Sequence, residues 1–305
     1  MTASAAYGHA MRDNALLPNT LERNINVGAS PRETVNKLVS QADMPTLSEW
    51  RAQTLRLTAF PTPGTAAGNR QEDWEKLLGR SPDEIQVKPP VSRTLVRGSW
   101  VEEPTLHGEM FLEANPLRID WRLEARPKLD LPESDFPTIG EAAPSIQAFR
   151  DLMLRWLENS PQIWRIAFGA VLVLPVDSRE HGYRTLLSYL PVHIDVTNSS
   201  DFLLQINRRR RSSVMEIDLN RLSKWSVASI ETHAIQVTPE GAQQTRVGSA
   251  GTAAMLELDI NTAPEFREPL PPDRLPDLFV ELIDLGTEIA KKGIAREHGY
   301  VATQD

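Results

Sequence analysis

Apolar and polar positions alternate over short stretches along most of this chain, and helices are expected in only five segments. Over residues 54–60, Leu55, Leu57 and Ala59 alternate with Arg56 and Thr58, which predicts a half-buried strand whose charged positions face away. Pro61-Thr62-Pro63-Gly64 ends it. A short helix is expected over 71–78. Residues 84–100, 106–114 and 117–125 then read as a meander of strands. These should run antiparallel, because the connections at Gly98, Glu103-Pro104 and Asn115-Pro116 are too short for crossover helices.

Further along, Ile146, Phe149, Leu152, Met153, Trp156 and Leu157 recur at three- and four-residue steps, predicting a helix over 145–159 that Ser160-Pro161 stops. Residues 164–176 are almost continuously apolar, which predicts a strand buried on both faces in the centre of the main sheet. Asp177-Ser178-Arg179-Glu180 has the spacing of an N-cap with a reciprocal acid and opens a helix to about residue 190. A strand at 192–196 would complete an αβ unit. Strands follow at 202–207, 214–219, 225–237 and 255–260. A last helix over 273–292 aligns Leu275, Leu278, Phe279, Leu282, Leu285 and Ile289. The sum is an α+β fold of largely antiparallel sheet, in one or two lobes with packed helices. Residues 1–50 read as an irregular N-terminal arm, with one short helix opened by Ser30-Pro31-Arg32-Glu33. The Pro-rich stretch 126–144 separates a β-rich lobe at 51–130 from an α+β lobe at 145–295.

Composition removes many chemistries. The chain has 305 residues and no Cys, so disulfides, Cys-ligated zinc, iron–sulfur clusters and thiol catalysis are excluded. Its formal charge of −8 argues against a generally basic nucleic-acid coat protein. The N-terminal residues lack the basic and apolar regions of a secretory leader, and the longest apolar run, 166–176, is about half of a membrane span. A cytoplasmic protein with no membrane partner is the expectation.

None of the 16 Gly falls in a dinucleotide or phosphate-loop arrangement, and neither a G-x-S-x-G elbow nor an H-E-x-x-H helix occurs. His9, His107, His181, His193, His233 and His298 are scattered, with no two within five residues of each other. Asp120, Asp195, Asp218 and Asp259 each follow an Ile or Leu in a strand-like run, where alternation turns the acid outward. No E-x-K strand accompanies them as a metal-dependent nuclease would want. No cofactor, metal site or catalytic residue is expected.

One segment stands out by charge. Between Gln205 and Trp225, Arg208, Arg209, Arg210, Arg211, Arg221 and Lys224 face only Glu216 and Asp218, a local +4. Four consecutive guanidinium groups at a sheet edge or hairpin tip suit carboxylates of a partner, phosphates of a nucleic acid, or plain solvation of an edge that must not aggregate. No aromatic residue interleaves with them to stack bases. Residues 255–305 carry eleven acids and five bases, so an acidic helix and a basic strand can pair within the molecule or between copies.

The order of Leu117-Arg118-Ile119-Asp120-Trp121, Phe168-Gly169-Ala170-Val171-Leu172-Val173-Leu174-Pro175, Ser200-Asp201-Phe202-Leu203-Leu204-Gln205-Ile206-Asn207 and Leu256-Glu257-Leu258-Asp259-Ile260-Asn261 resembles a family of sporadically distributed, uncharacterised bacterial proteins, over about residues 51–295. That resemblance implies a bacterial accessory protein and assigns no catalytic residue. The expected function is a non-catalytic subunit that binds another protein or a second copy of itself, as an assembly, immunity or defence component. A nucleic-acid-binding subunit using Arg208–Arg211, and an unrecognised hydrolase or nuclease, are the alternatives.

Overall fold

The computed structural model describes residues 47, 49–65, 68–88, 93–102, 106–126, 136–192, 194–230, 233–238, 241–246 and 251–294. The expected arm therefore lies almost wholly outside the described residues. Twelve strands are described: β1 (Arg51–Pro61), β2 (Glu84–Lys88), β3 (Arg93–Glu102), β4 (Leu106–Asn115), β5 (Arg118–Glu124), β6 (Gly140–Glu141), β7 (Ile163–Val176), β8 (Leu203–Arg211), β9 (Asp218–Ile230), β10 (His233–Thr238), β11 (Gly241–Arg246) and β12 (Gly251–Thr262). The described helices are α1 (Arg70–Leu78), α2 (Ala142–Leu157), α3 (Arg179–Tyr189) and α4 (Leu275–Lys292).

Nine strands run in the order β2-β3-β4-β5-β1-β7-β12-β9-β8, with the two-residue β6 added to β1. Every pairing is antiparallel. β10 and β11 form a separate ladder in the excursion between β9 and β12. β1 lies between β5 and β7, so strands from residues 51–130 and from 145–295 join in one ten-stranded sheet.

Alternation decides which face of that sheet is covered. In register across the middle stand Val96, Leu112, Trp121, Leu57, Phe168 and Ile260, all buried, and the helices pack on this side. Trp74 of α1 stacks on Trp121 at 6.0 Å, and Trp156 of α2 meets Trp121 edge-on at 6.2 Å. Phe279 of α4 meets Phe168 edge-on at 6.2 Å. Tyr189, the last residue of α3, stacks on Trp225 at 5.4 Å, and Trp50 completes that cluster. Trp225 and Phe168 project to the same face, so all four described helices cover one side. Burial of each such large side chain contributes roughly 1.5–3 kcal/mol, which makes the aromatic layer the chief attachment of the helices.

Local signals set the helix ends. Asn69 Oδ1 accepts from Gln71 N at 3.1 Å to start α1, and Ser178 Oγ accepts from His181 N at 3.1 Å to start α3, one residue beyond the Asp177 cap that a reciprocal Glu180 would require.

Among the described residues, one expected strand is absent and another starts late. Around 192–196, Asp195 Oδ1 accepts from Thr197 N at 2.9 Å and Asn198 adopts a φ of 59°, so the chain turns where a strand had been expected. Over 214–219, Ser212 and Ser213 bind Glu281 of α4, and β9 starts only at Asp218. Nor is β7 sandwiched between two layers. Its Phe168, Ala170 and Leu172 face the helices, whereas Ala167, Gly169 and Val171 lie on the opposite side, where no described helix packs.

Candidate functional site

The six basic residues of the sequence anomaly occupy β8, the last strand of the sheet, and its neighbour β9, and the pleat divides them between the two faces. Arg208 and Arg210 turn to the helical side. Arg208 Nη1 donates to the Ile294 carbonyl at 2.9 Å, just beyond α4, and Arg210 pairs with Glu288 of α4 at 3.5 Å. Arg209 and Arg211 turn to the other face, where Arg209 pairs with Glu265 and Arg211 with Asp218 at 3.4 Å. The hydrogen bond from Arg209 holds the Glu265 carboxyl below its ordinary range. Arg221 stands opposite Arg208 in register and is buried beneath the helical layer. Lys224 projects to the open face and binds Glu257 at 2.7 Å. The basic strand and the acidic C-terminal helix thus meet within one molecule, and the six bases do not converge on one patch.

Lys224 belongs instead to a different constellation. On the face without helices, successive strands present long charged side chains in register: Arg97, Phe111, Arg122, Arg56, Gly169, Asp259 and Leu222 form one row from β3 to β9. The adjoining row runs Glu109, Glu124, Thr54, Val171, Glu257, Lys224 and Gln205. Arg56 reaches over Gly169 to Asp259 at 3.1 Å. A Cβ at residue 169 would lie 3.1 Å from the Arg56 guanidinium, so the missing side chain is what lets Arg56 cross the strand. Arg122 pairs with Glu124 at 2.6 Å and with Glu113 at 3.6 Å.

These side chains border a groove of about 490 Å³ with Gly169 and Val171 in its floor. Three cations (Arg56, Arg122, Lys224) and three carboxylates (Glu124, Glu257, Asp259) line it, so it has no net charge. Arg56 Nε is buried there without a hydrogen-bond partner. A buried donor left in this state costs roughly 1–3 kcal/mol and is available to an acceptor that enters the groove.

Of the outward Asp residues, Asp259 joins this groove through Arg56. Asp120 sits one row away, accepting from Thr58 Oγ1 at 2.5 Å and pairing with Arg118 at 2.6 Å. Asp218 serves Arg211, and Asp195 closes the turn after α3. Among the described residues no three His, Asp or Glu side chains gather as a metal site, and no helix is long and apolar enough to cross a membrane.

Residue pattern alone indicated that Arg56 and Asp259 face outward. Their meeting depends on the registers of β1 with β7 and of β7 with β12, for which the sequence carries no local signal. No protein-family model, no curated protein and no solved structure matches the chain.

Proposed function

We propose that this chain is a non-catalytic binding subunit that seats a polypeptide segment of a partner protein on the helix-free face of its sheet, across the groove floored by Gly169 and Val171. The observation that carries this reading is the charge arrangement of the groove, with Arg56, Arg122 and Lys224 balanced by Glu124, Glu257 and Asp259. A neutral mosaic of fixed ion pairs complements a surface bearing both signs, and fixes its register more than it raises affinity. It suits a polyanion poorly, because phosphates would have to displace carboxylates already in place.

The alternative, a nucleic-acid-binding subunit using Arg208–Arg211, draws on the local excess of base. Against it stands the internal partner that each of those four residues already has.

The test is affinity capture from a lysate of the native host by the full chain, by a Gly169→Val/Lys224→Ala variant and by a variant with Arg208–Arg211 replaced by Ser. A discrete protein retained by the unmodified chain and the Ser variant, and lost from the groove variant at unchanged circular dichroism, is the expected result. Retention of nucleic acid that collapses with salt and with the Ser variant would replace this reading by the alternative.

A further inference from the structure

A second concavity lies on the helical side of the molecule, far along the sheet order from the groove. β2 pairs with β3 only from Arg97 back to Arg93, so Ser99, Trp100, Val101 and Glu102 have no strand beside them on that side among the described residues. The C-terminal ends of α1 and α2 frame the gap, leaving a cleft of about 570 Å³. That volume is within the range of small-ligand sites, roughly 300–1,000 Å³.

The buried Leu77, Trp100 and Leu152 lie at its base, and the cleft is open to solvent. Its rim is basic, with Lys76, Arg80 and Arg155 against the single acid Glu102. Most arginines of the described chain are taken up by carboxylates or carbonyls, as at Arg56, Arg97, Arg122, Arg208 and Arg209. Arg80 and Arg155 make no ion pair or hydrogen bond among the described residues, and Lys76 holds Glu72 only at 3.9 Å with both side chains well exposed.

The position of Arg80 is fixed by its neighbours. Gly79 N donates to the Glu75 carbonyl at 2.8 Å and Ser81 Oγ donates to Glu75 Oε1 at 2.9 Å, pinning the backbone on both sides of the arginine. The hydrogen bonds from Gln71 and Ser81 hold Glu75 below its ordinary range, so this carboxylate is committed to the loop. The helix C-termini carry about half a negative charge each, which accounts for cations in the last turns of α1 and α2. Arg80 lies beyond α1 and outside that explanation. Lys76, Arg80 and Arg155 together exceed the half charges of the two helix ends and the carboxylate of Glu102, so the rim stays net positive even on an acidic protein, and guanidinium forks match carboxylate and phosphate oxygens two at a time.

We propose that this cleft binds a small organic polyanion, a di- or tricarboxylate or a phosphate ester, with Arg80 and Arg155 holding its charged groups and Trp100 and Leu152 carrying its body. The test is isothermal titration of the full chain with citrate and with pyrophosphate, the two probes separating carboxylate from phosphate sources of the same charge. Arg80→Gln, Arg155→Gln and, as a control on an exposed arginine elsewhere, Arg267→Gln are titrated alongside. Saturable binding of at least one probe is expected, weakened about tenfold or more in each of the first two variants and unchanged in the third. Citrate alone would assign the site to carboxylates, and pyrophosphate alone to phosphates. Absence of saturable binding by both probes, or equal affinity in all the variants, would overturn the proposal.

Discussion

At Gly293 the chain leaves α4 with a φ of 67°, and a Cβ built there would lie 2.1 Å from the Tyr189 carbonyl oxygen. Gly79 leaves α1 with a φ of 68°, yet nothing lies within 4 Å of its hypothetical Cβ. Gly79, with a ψ of 15°, is in the left-handed helical region, which costs an L-residue about 1 kcal/mol, whereas Gly293 combines its positive φ with a ψ of −174°, a region essentially reserved for glycine, and adds the collision. Gly79→Ala should therefore lower stability by about 1 kcal/mol and Gly293→Ala by about 3 kcal/mol or more, read from urea midpoints at constant slope. Equal losses would mean that both the backbone and the contact with Tyr189 at residue 293 relax freely.

Tyr189 carries a second residue-scale consequence. Burial pushes its phenol up to about 12, against the pull of the hydrogen bond from Trp50 Nε1 at 3.2 Å. A group whose folded pKa exceeds its unfolded value contributes stability that is complete below the unfolded pKa, about 10, and is lost as pH rises through the folded one. Relative to Tyr189→Phe, the unmodified chain should thus lose about 2 kcal/mol between about pH 9.5 and pH 12. A constant difference across that window would place the phenol in contact with water.

Among the elements, the β8–β9 connection shows how one side chain sets a local fold. Glu281 on α4 accepts from Ser213 N and Ser213 Oγ, each at 2.7 Å, and from Ser212 Oγ. Burial raises this carboxyl, but the hydrogen bonds from Ser212, Ser213 and Val214 outweigh it and hold the group below its ordinary range. The corresponding stability is present above the unfolded pKa of about 4.5 and is lost as pH falls through the folded one. Glu281→Ala should cost about 1–2 kcal/mol near neutral pH, and the difference from the unmodified chain should shrink on acidification to about pH 3. A gap that stays constant with pH would show that the ionised carboxylate is not what holds the loop.

The same loop explains a limit of sequence reading. Val214 and Met215 carry a strand's apolar character, while the contact that turns them comes from a helix 68 residues further on. Strands whose instructions are local were legible. Leu55, Leu57 and Ala59 face the core as their alternation requires, and a helix starts where Asp177-Ser178-Arg179-Glu180 signals one, with its cap one residue later than the acid spacing implies. The uninterrupted apolar run of β7 signalled a central strand correctly, but the covering of its second face is not a helix. Phe136 and Ala253 cover Val173, and the side chain of Arg56 reaches over Gly169; a glycine in an apolar run gives no sign that an arginine from another strand will cross it.

At the scale of the molecule, β1 is the seam. On one side it pairs with β5 from Thr54 to Ala59, and on the other with β7 from Arg51 to Pro61. The Pro-rich stretch 126–144 suggested a boundary because composition records where a chain is irregular, not which strands it later brings together. With Leu57 buried between Trp121 and Phe168, no layer of solvent separates the strands of 51–130 from those of 145–295. Cooperative units follow such continuous packing. Trp74 and Trp121 report on one half of the sheet, and Trp50 and Trp225 on the other. In variants that keep only one of these pairs, with the remaining tryptophans changed to Phe, the urea transitions of the two reporters should coincide. Leu57→Ala, which leaves a cavity at the seam, should shift both midpoints together, by about 2–5 kcal/mol in stability. Two separated transitions, or a shift confined to one reporter, would mean that the sheet unfolds as two units although β1 pairs on both sides.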